Sequence, residues 1–157
     1  MEMKQYLIDT FYFNDTANKN IMERIKELTD KEMSIKYFSH LINSQKKWLA
    51  RIVQYPVNPD LDWWLPVYDL DNLKDEWNKC FNSWIEFLKS KTEEQLLEDV
   101  KFIGYDGSFF IAPLKDIVLQ LNYHSIHHRA QMQIIIRQQG LEPDFIDYIG
   151  TIYKRIG

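Results

Sequence analysis

The stretch that decides the fold is Pro113-Leu114-Lys115-Asp116-Ile117-Val118-Leu119-Gln120-Leu121-Asn122-Tyr123-His124-Ser125-Ile126-His127-His128-Arg129-Ala130-Gln131, continuing to Gly140. Leu114, Ile117, Leu121, His124, His128 and Ile135 recur at intervals of three, four or seven residues, the period of a helix with one side turned to a core. Pro113 suits a first helical turn, where its missing N–H costs nothing, and Gly140 suits the position just past the end. The spacing therefore predicts one long helix to Gln139 with two histidines on its inward stripe. His127 points about 100° away from His128 and belongs to the surface or to a subunit contact.

The same period recurs upstream. Ile21, Ile25 and Leu28 close a first helical segment that runs from about Glu2 and breaks at Thr29-Asp30. A second begins after Asp30, a usable N-cap, carries Met33, Tyr37, Leu41, Trp48 and Ile52, and stops before Pro56. A third follows Leu70, Leu73, Trp77, Phe81, Trp84 and Leu88 to about Ser90. Between the second and third lies a proline-bearing loop, residues 56–68, of a length that is often functional. Between the third and the last, two apolar runs flank Tyr105-Asp106-Gly107-Ser108, and Asp-Gly is a hairpin turn signal. Residues 141–157 read as a docked tail with one helical turn. Four long helices with a small hairpin or extended loop predict an all-α four-helix bundle in a single domain, 1–157.

Composition bounds the function. The 157 residues hold 19 Lys plus Arg against 23 Asp plus Glu, a net charge of −4. A chain this long buries roughly 70% of its unfolded surface and needs no disulfide or metal merely to fold. The mild acidity argues against nucleic acid as a partner, which takes a Lys/Arg-rich face. No run approaches a membrane span, and the first residues lack a secretory pattern. Cys80 is the only cysteine, so no internal disulfide forms and a cytoplasmic location is expected. The Asn14-Asp15-Thr16 sequon is then a chance match.

Two imidazoles at i and i+4 on an inward face form a chelating pair whose nitrogens converge on one ion. The competing reading is a pair of core histidines, each hydrogen-bonded to a neighbour, which burial of two adjacent imidazoles makes demanding. His40, on the inward side of the second segment with Tyr37, Leu41 and Ser44, is the remaining histidine able to complete a three-nitrogen site. Three histidines leave a fourth position open, the catalytic arrangement of zinc, in which a bound water reaches a pKa near 7.

These residues also resemble a known family. His124-x-x-x-His128-Arg129-x-Gln131 is similar to the H-x-x-x-H-R-x-Q signature of DinB/YfiT-like proteins. Asn18 resembles that family's first-helix Ala-Asn element, Phe38-Ser39-His40-Leu41 with Trp48 and Arg51 its second-helix histidine segment, and Tyr105-Asp106-Gly107 its hairpin. Asp147-Tyr148 also fits. Ala130 stands where Gly is common, and Thr16 where a large aromatic is common. The resemblance implies a bundle of up-down-down-up type in which His40, His124 and His128 bind zinc or nickel, and it implies a homodimer. It further implies a small-molecule substrate, with low-molecular-weight thiols used by characterised relatives.

Around the histidines, Gln131, Arg129 and Asn18 are candidates for supporting roles, or for plain packing between helices. Cys80, between Trp77 and Phe81, reads as packing. Trp63-Trp64 and Phe109-Phe110 either line a mouth above the metal or cover helix ends or a dimer seam, and covering is the favoured reading. Two function classes follow. One is a metal-dependent enzyme that activates water or a small thiol, a hydrolase or thiol-S-transferase. The other is a metal-stabilised dimeric scaffold or binding module without turnover. A di-iron carboxylate protein is excluded, because it requires Glu-x-x-His pairs on two helices and the sequence has none.

Overall fold

The computed structural model describes residues 2–156. Its elements run α1 (Met3–Glu27), α2 (Glu32–Val53), α3 (Leu70–Lys89), α4 (Glu93–Leu97), β1 (Asp99–Ile103), β2 (Phe109–Pro113), α5 (Leu114–Gln138) and a 3-10 turn (Tyr148–Thr151). The protein is mostly helical with one small antiparallel sheet, as the apolar period predicts. Helices α1 and α2 each pack on both α3 and α5, so the four long helices form a closed ring of contacts. None is long and apolar enough to cross a membrane.

The periodic apolar residues meet at the centre of that ring. Phe11, Ile21 and Ile25 of α1, Phe38 and Leu41 of α2, Trp77 and Trp84 of α3, and Val118 and Met132 of α5 are all buried. Burying large aromatic side chains supplies much of the drive for such packing. The two tryptophans also settle their indole N–H groups, Trp77 Nε1 on Asp15 Oδ1 at 2.8 Å and Trp84 Nε1 on the Gln45 carbonyl at 3.0 Å.

Three details differ from expectation. Asp30 is not the cap of α2; Lys31 occupies that place, and Asp30 Oδ1 instead accepts from the Glu32 amide at 3.1 Å. Pro113 does not lie inside the first turn of α5. It ends β2 with an extended ψ of 135° and serves as the residue before the helix, a position its ring favours equally because the ladder bond it would forfeit is not needed there. Helix α4 is an addition, begun by a capping box in which Thr92 and Gln95 satisfy each other's backbone amides.

The hairpin forms where the Asp-Gly signal puts it. Gly107 adopts φ 81°, which the turn requires and a side chain disfavours. Asp106 Oδ1 accepts from the Ser108 amide, and Phe102 pairs with Phe110 across the strands. Phe102 then meets Trp48 of α2 edge-on, with centroids 5.0 Å apart, which docks the hairpin beside the end of α2.

Candidate metal centre

His40 comes from the middle of α2, and His124 and His128 from successive turns of α5. Because α2 packs on α5, the three imidazoles meet. His124 Nε2 lies 3.1 Å from His40 Nε2 and 3.0 Å from His128 Nε2, and ligand atoms of all three rings fall within 4.8 Å of one another. His40 and His128 are buried, and His124 is half-buried. The group could hold a metal ion.

The tautomers follow from what the other ring nitrogens touch. His40 Nδ1 is 2.7 Å from the Trp63 carbonyl, and His128 Nδ1 is 2.7 Å from Gln131 Oε1. Both oxygens only accept, so each Nδ1 carries the proton and each Nε2 presents a bare lone pair. His124 can donate one Nε2–H to one of these neighbours, not to both. The arrangement leaves opposed lone pairs at about 3 Å, a conflict that a cation removes. Carbonyl groups that orient ligating imidazoles in this way are a recurrent feature of metal sites. The donor set, three neutral imidazoles, suits zinc, nickel, copper or iron.

Neutrality is built in. Burial, followed by the like charges that His128, His40 and His127 would carry, pushes His124 from 6.5 down to about 4. Burial likewise pushes His128 to about 4, against the opposing bond to Gln131. His40 is lowered for the same first reason, opposed by its bond to Trp63. The unfolded chain therefore takes up protons near pH 6.5, whereas the folded one resists them until about pH 4. Stability that is fully present above pH 6.5 drains away as pH falls through this window. Urea midpoints of metal-free protein are expected to drop between pH 7 and 5, and the slope to flatten in His124→Ala; equal slopes would rule out these rings as the cause.

The long loop between α2 and α3 supplies one wall. Asn43 Nδ2 donates to the Pro66 carbonyl at 3.0 Å, and the Tyr68 amide donates to Ser39 Oγ at 3.0 Å. Asp62 Oδ1 accepts from the amides of Trp64 and Leu65, and Lys47 Nζ reaches the Leu61 carbonyl. Arg51 stands 4.8 Å from the Trp63 ring and 5.2 Å from Trp48. So anchored, Trp64 stacks on His40 at 3.8 Å with a 13° tilt. This corrects the covering role expected of the Trp63-Trp64 pair: the loop folds back onto α2, and the pair lines the histidine cluster. A cavity of about 260 Å³ opens there, bounded by His40, Ser44, Trp48, Trp63, Gln120 and His124. Phe109 and Phe110 remain largely exposed on the hairpin.

The other singled-out residues separate. Gln131 touches His128. Asn18 and Arg129 do not touch the histidines; Arg129 Nη1 donates to Asn18 Oδ1 at 2.9 Å and to Asn14 Oδ1, and all three are buried. His127 is exposed and outside the cluster, its ring 5.0 Å from that of His128. Cys80 is buried, its thiol pushed up to about 12 by burial and donated to the Trp77 carbonyl, which leaves no nucleophile there. The backbone acceptor at Trp63 is the feature that sequence reasoning missed, since a carbonyl carries no residue signature.

Comparison with known proteins places the chain in a family. An uncharacterised protein of Bacillus subtilis (strain 168), YrdA, is 30% identical over 115 residues, covering 64% of this chain and 66% of that protein, just under two thirds. The DinB family profile matches residues 1–155, and on that match the chain belongs to the DinB family.

Proposed function

We propose that this protein is a metal-dependent enzyme in which His40, His124 and His128 hold one divalent ion, zinc or nickel, and that its substrate is a small molecule. The observation that carries the reading is the pair of carbonyl acceptors, Trp63 O and Gln131 Oε1, which hold two imidazoles with Nε2 bare beside a third. An ion bound by three imidazoles lowers the pKa of water or of a thiol, making a nucleophile available at neutral pH. The chain's own residues do the rest. Trp64 shields one face of His40 from water, and the tryptophan-walled cavity beside His40 and His124 offers a place for substrate. Nucleophile water makes the enzyme a hydrolase, and a low-molecular-weight thiol makes it a thiol-S-transferase. The reading includes a four-helix bundle of up-down-down-up type in a single domain, a homodimer and a cytoplasmic location.

The test pairs metal loading with turnover. Zinc- or nickel-loaded protein is assayed on p-nitrophenyl acetate and on a small thiol with chlorodinitrobenzene, beside His128→Ala. Metal-dependent turnover lost in the variant supports the enzyme. Stoichiometric metal with no turnover of either class favours the scaffold reading. Gln131→Leu is expected to weaken metal binding by roughly 10–100-fold, the usual cost of losing a ligand's hydrogen-bond partner. Titration with a competing chelator checks it, and unchanged affinity would remove Gln131 from the site.

A further inference from the structure

Arg129 leaves α5 about 100° from His128 and enters a different environment. It is only 3% exposed, yet among the described residues it forms no ion pair. Its recorded hydrogen bonds leave from Nη1 alone, to the side-chain carbonyls of Asn14 and Asn18. Asp15, the acid next to Asn14, is committed elsewhere, to Trp77 and Lys19. Asn carbonyls answer a guanidinium as dipoles, not as a counter-charge, and a buried charge without one is expensive to maintain.

Beside this cation lies a cavity of about 130 Å³ between α1 and α5, with Tyr148 of the 3-10 turn also in its wall. Phe13, Leu119 and Ile126 give it an apolar lining, and among the described residues Arg129 is the only charged one that borders it. The cavity shares no residue with the one at the histidines. Its rim is open to solvent at Tyr6 and at Ile126, which is 48% exposed. The guanidinium is met by two amide dipoles and by the Phe13 ring, 5.8 Å from its centre, and among the described residues by no counter-charge. One fixed positive charge so placed calls for one negative charge, and the apolar wall calls for a hydrocarbon body. The volume limits that body to a short branched chain or a single ring, well below a drug-sized ligand. A dianionic phosphate ester would bring more charge than a single guanidinium answers.

We propose that this cavity is a binding site for a small organic monocarboxylate, whose carboxylate pairs with Arg129 and whose apolar body lies against Phe13, Leu119 and Ile126. The site is independent of any ion at the histidines.

The test titrates isobutyrate and benzoate into chelator-treated, metal-free protein, followed by calorimetry and ligand-observed NMR. The amides of the same shape, isobutyramide and benzamide, serve as uncharged controls. At least one acid is expected to bind saturably, and its amide at least tenfold more weakly. Ile126→Trp, which fills the mouth from an exposed position, is expected to lower affinity at least tenfold, and Arg129→Gln to do the same. His124→Ala is expected to bind as the wild type does, which separates this site from the metal centre. Absence of saturable binding by either acid, amide binding equal to acid binding, or undiminished affinity in Ile126→Trp would each overturn the proposal. If Arg129→Gln does not fold, the amide controls and Ile126→Trp still decide the matter.

Discussion

Zinc or nickel is expected to stabilise the wild type against heat, and replacing His124 with alanine is expected to abolish that gain. The ring sits at the centre of the cluster, with one nitrogen about 3 Å from each of its partners. Without it, His40 and His128 remain as two ligands from two different helices. An ion at about a thousand times its dissociation constant contributes about 4 kcal/mol, which for a domain of this size raises Tm by roughly 8–16 °C. The variant is expected to shift by no more than a degree or two. Metal-free melting is expected to differ little between the two proteins, because removing the ring also relieves opposed lone pairs. Elemental analysis of untagged protein checks the same point from the other side. Equal metal content in wild type and variant, or no uptake by either, would sink the three-histidine site.

The second large effect lies in the core. Trp77→Ala is expected to destabilise the fold by about 3–5 kcal/mol, the range for truncating a buried aromatic side chain. The indole is fully buried, edge-on to Phe38 at 5.7 Å, and its N–H is the donor to Asp15 inside the helix ring. Truncation opens a cavity and leaves a mostly buried carboxylate with Lys19 as its remaining partner. Against a total of about 5–15 kcal/mol such a loss is a large share. Trp77→Phe keeps most of the ring and loses the bond, so a smaller cost of about 1–3 kcal/mol is expected. Urea unfolding of both variants measures the difference. Both variants lose the donor to Asp15, so the difference reports the packing of the ring, and a Trp77→Phe cost near zero would mean that the Asp15 bond contributes nothing.

The parts of this molecule that were legible beforehand are those governed by rules acting over a few residues. Leu114 to Ile135 repeat at helical spacing, so α5 and its inward histidines could be read off directly, and Asp106-Gly107 marked the hairpin. Helix α4 escaped because five residues are too few for a period to register, although its Thr92 and Gln95 stood in the right places. The roles of Trp63 and Trp64 were invisible for a different reason. A loop has no period, and what it touches depends on anchors such as Asn43 to Pro66, twenty-three positions apart. Arg129 shows the same limit more sharply, since its partners Asn14 and Asn18 lie more than a hundred residues away. Spacing placed it beside His128 in the chain and said nothing about which helix it would face.

The two oxygens that orient the histidines differ in how they answer to mutation. Gln131 Oε1 belongs to a side chain, so a single codon change deletes it. The oxygen on His40 belongs to the main chain at Trp63, and every amino acid at that position supplies the same atom. A saturation scan should therefore find position 131 intolerant for metal binding, with position 63 sensitive only through its ring. To disarm His40 by genetics one must cut its moorings instead, at Asn43 or Ser39, or shorten the loop. Half of the centre's orientation is thus encoded as path length and anchoring, a kind of information that residue-by-residue conservation does not display.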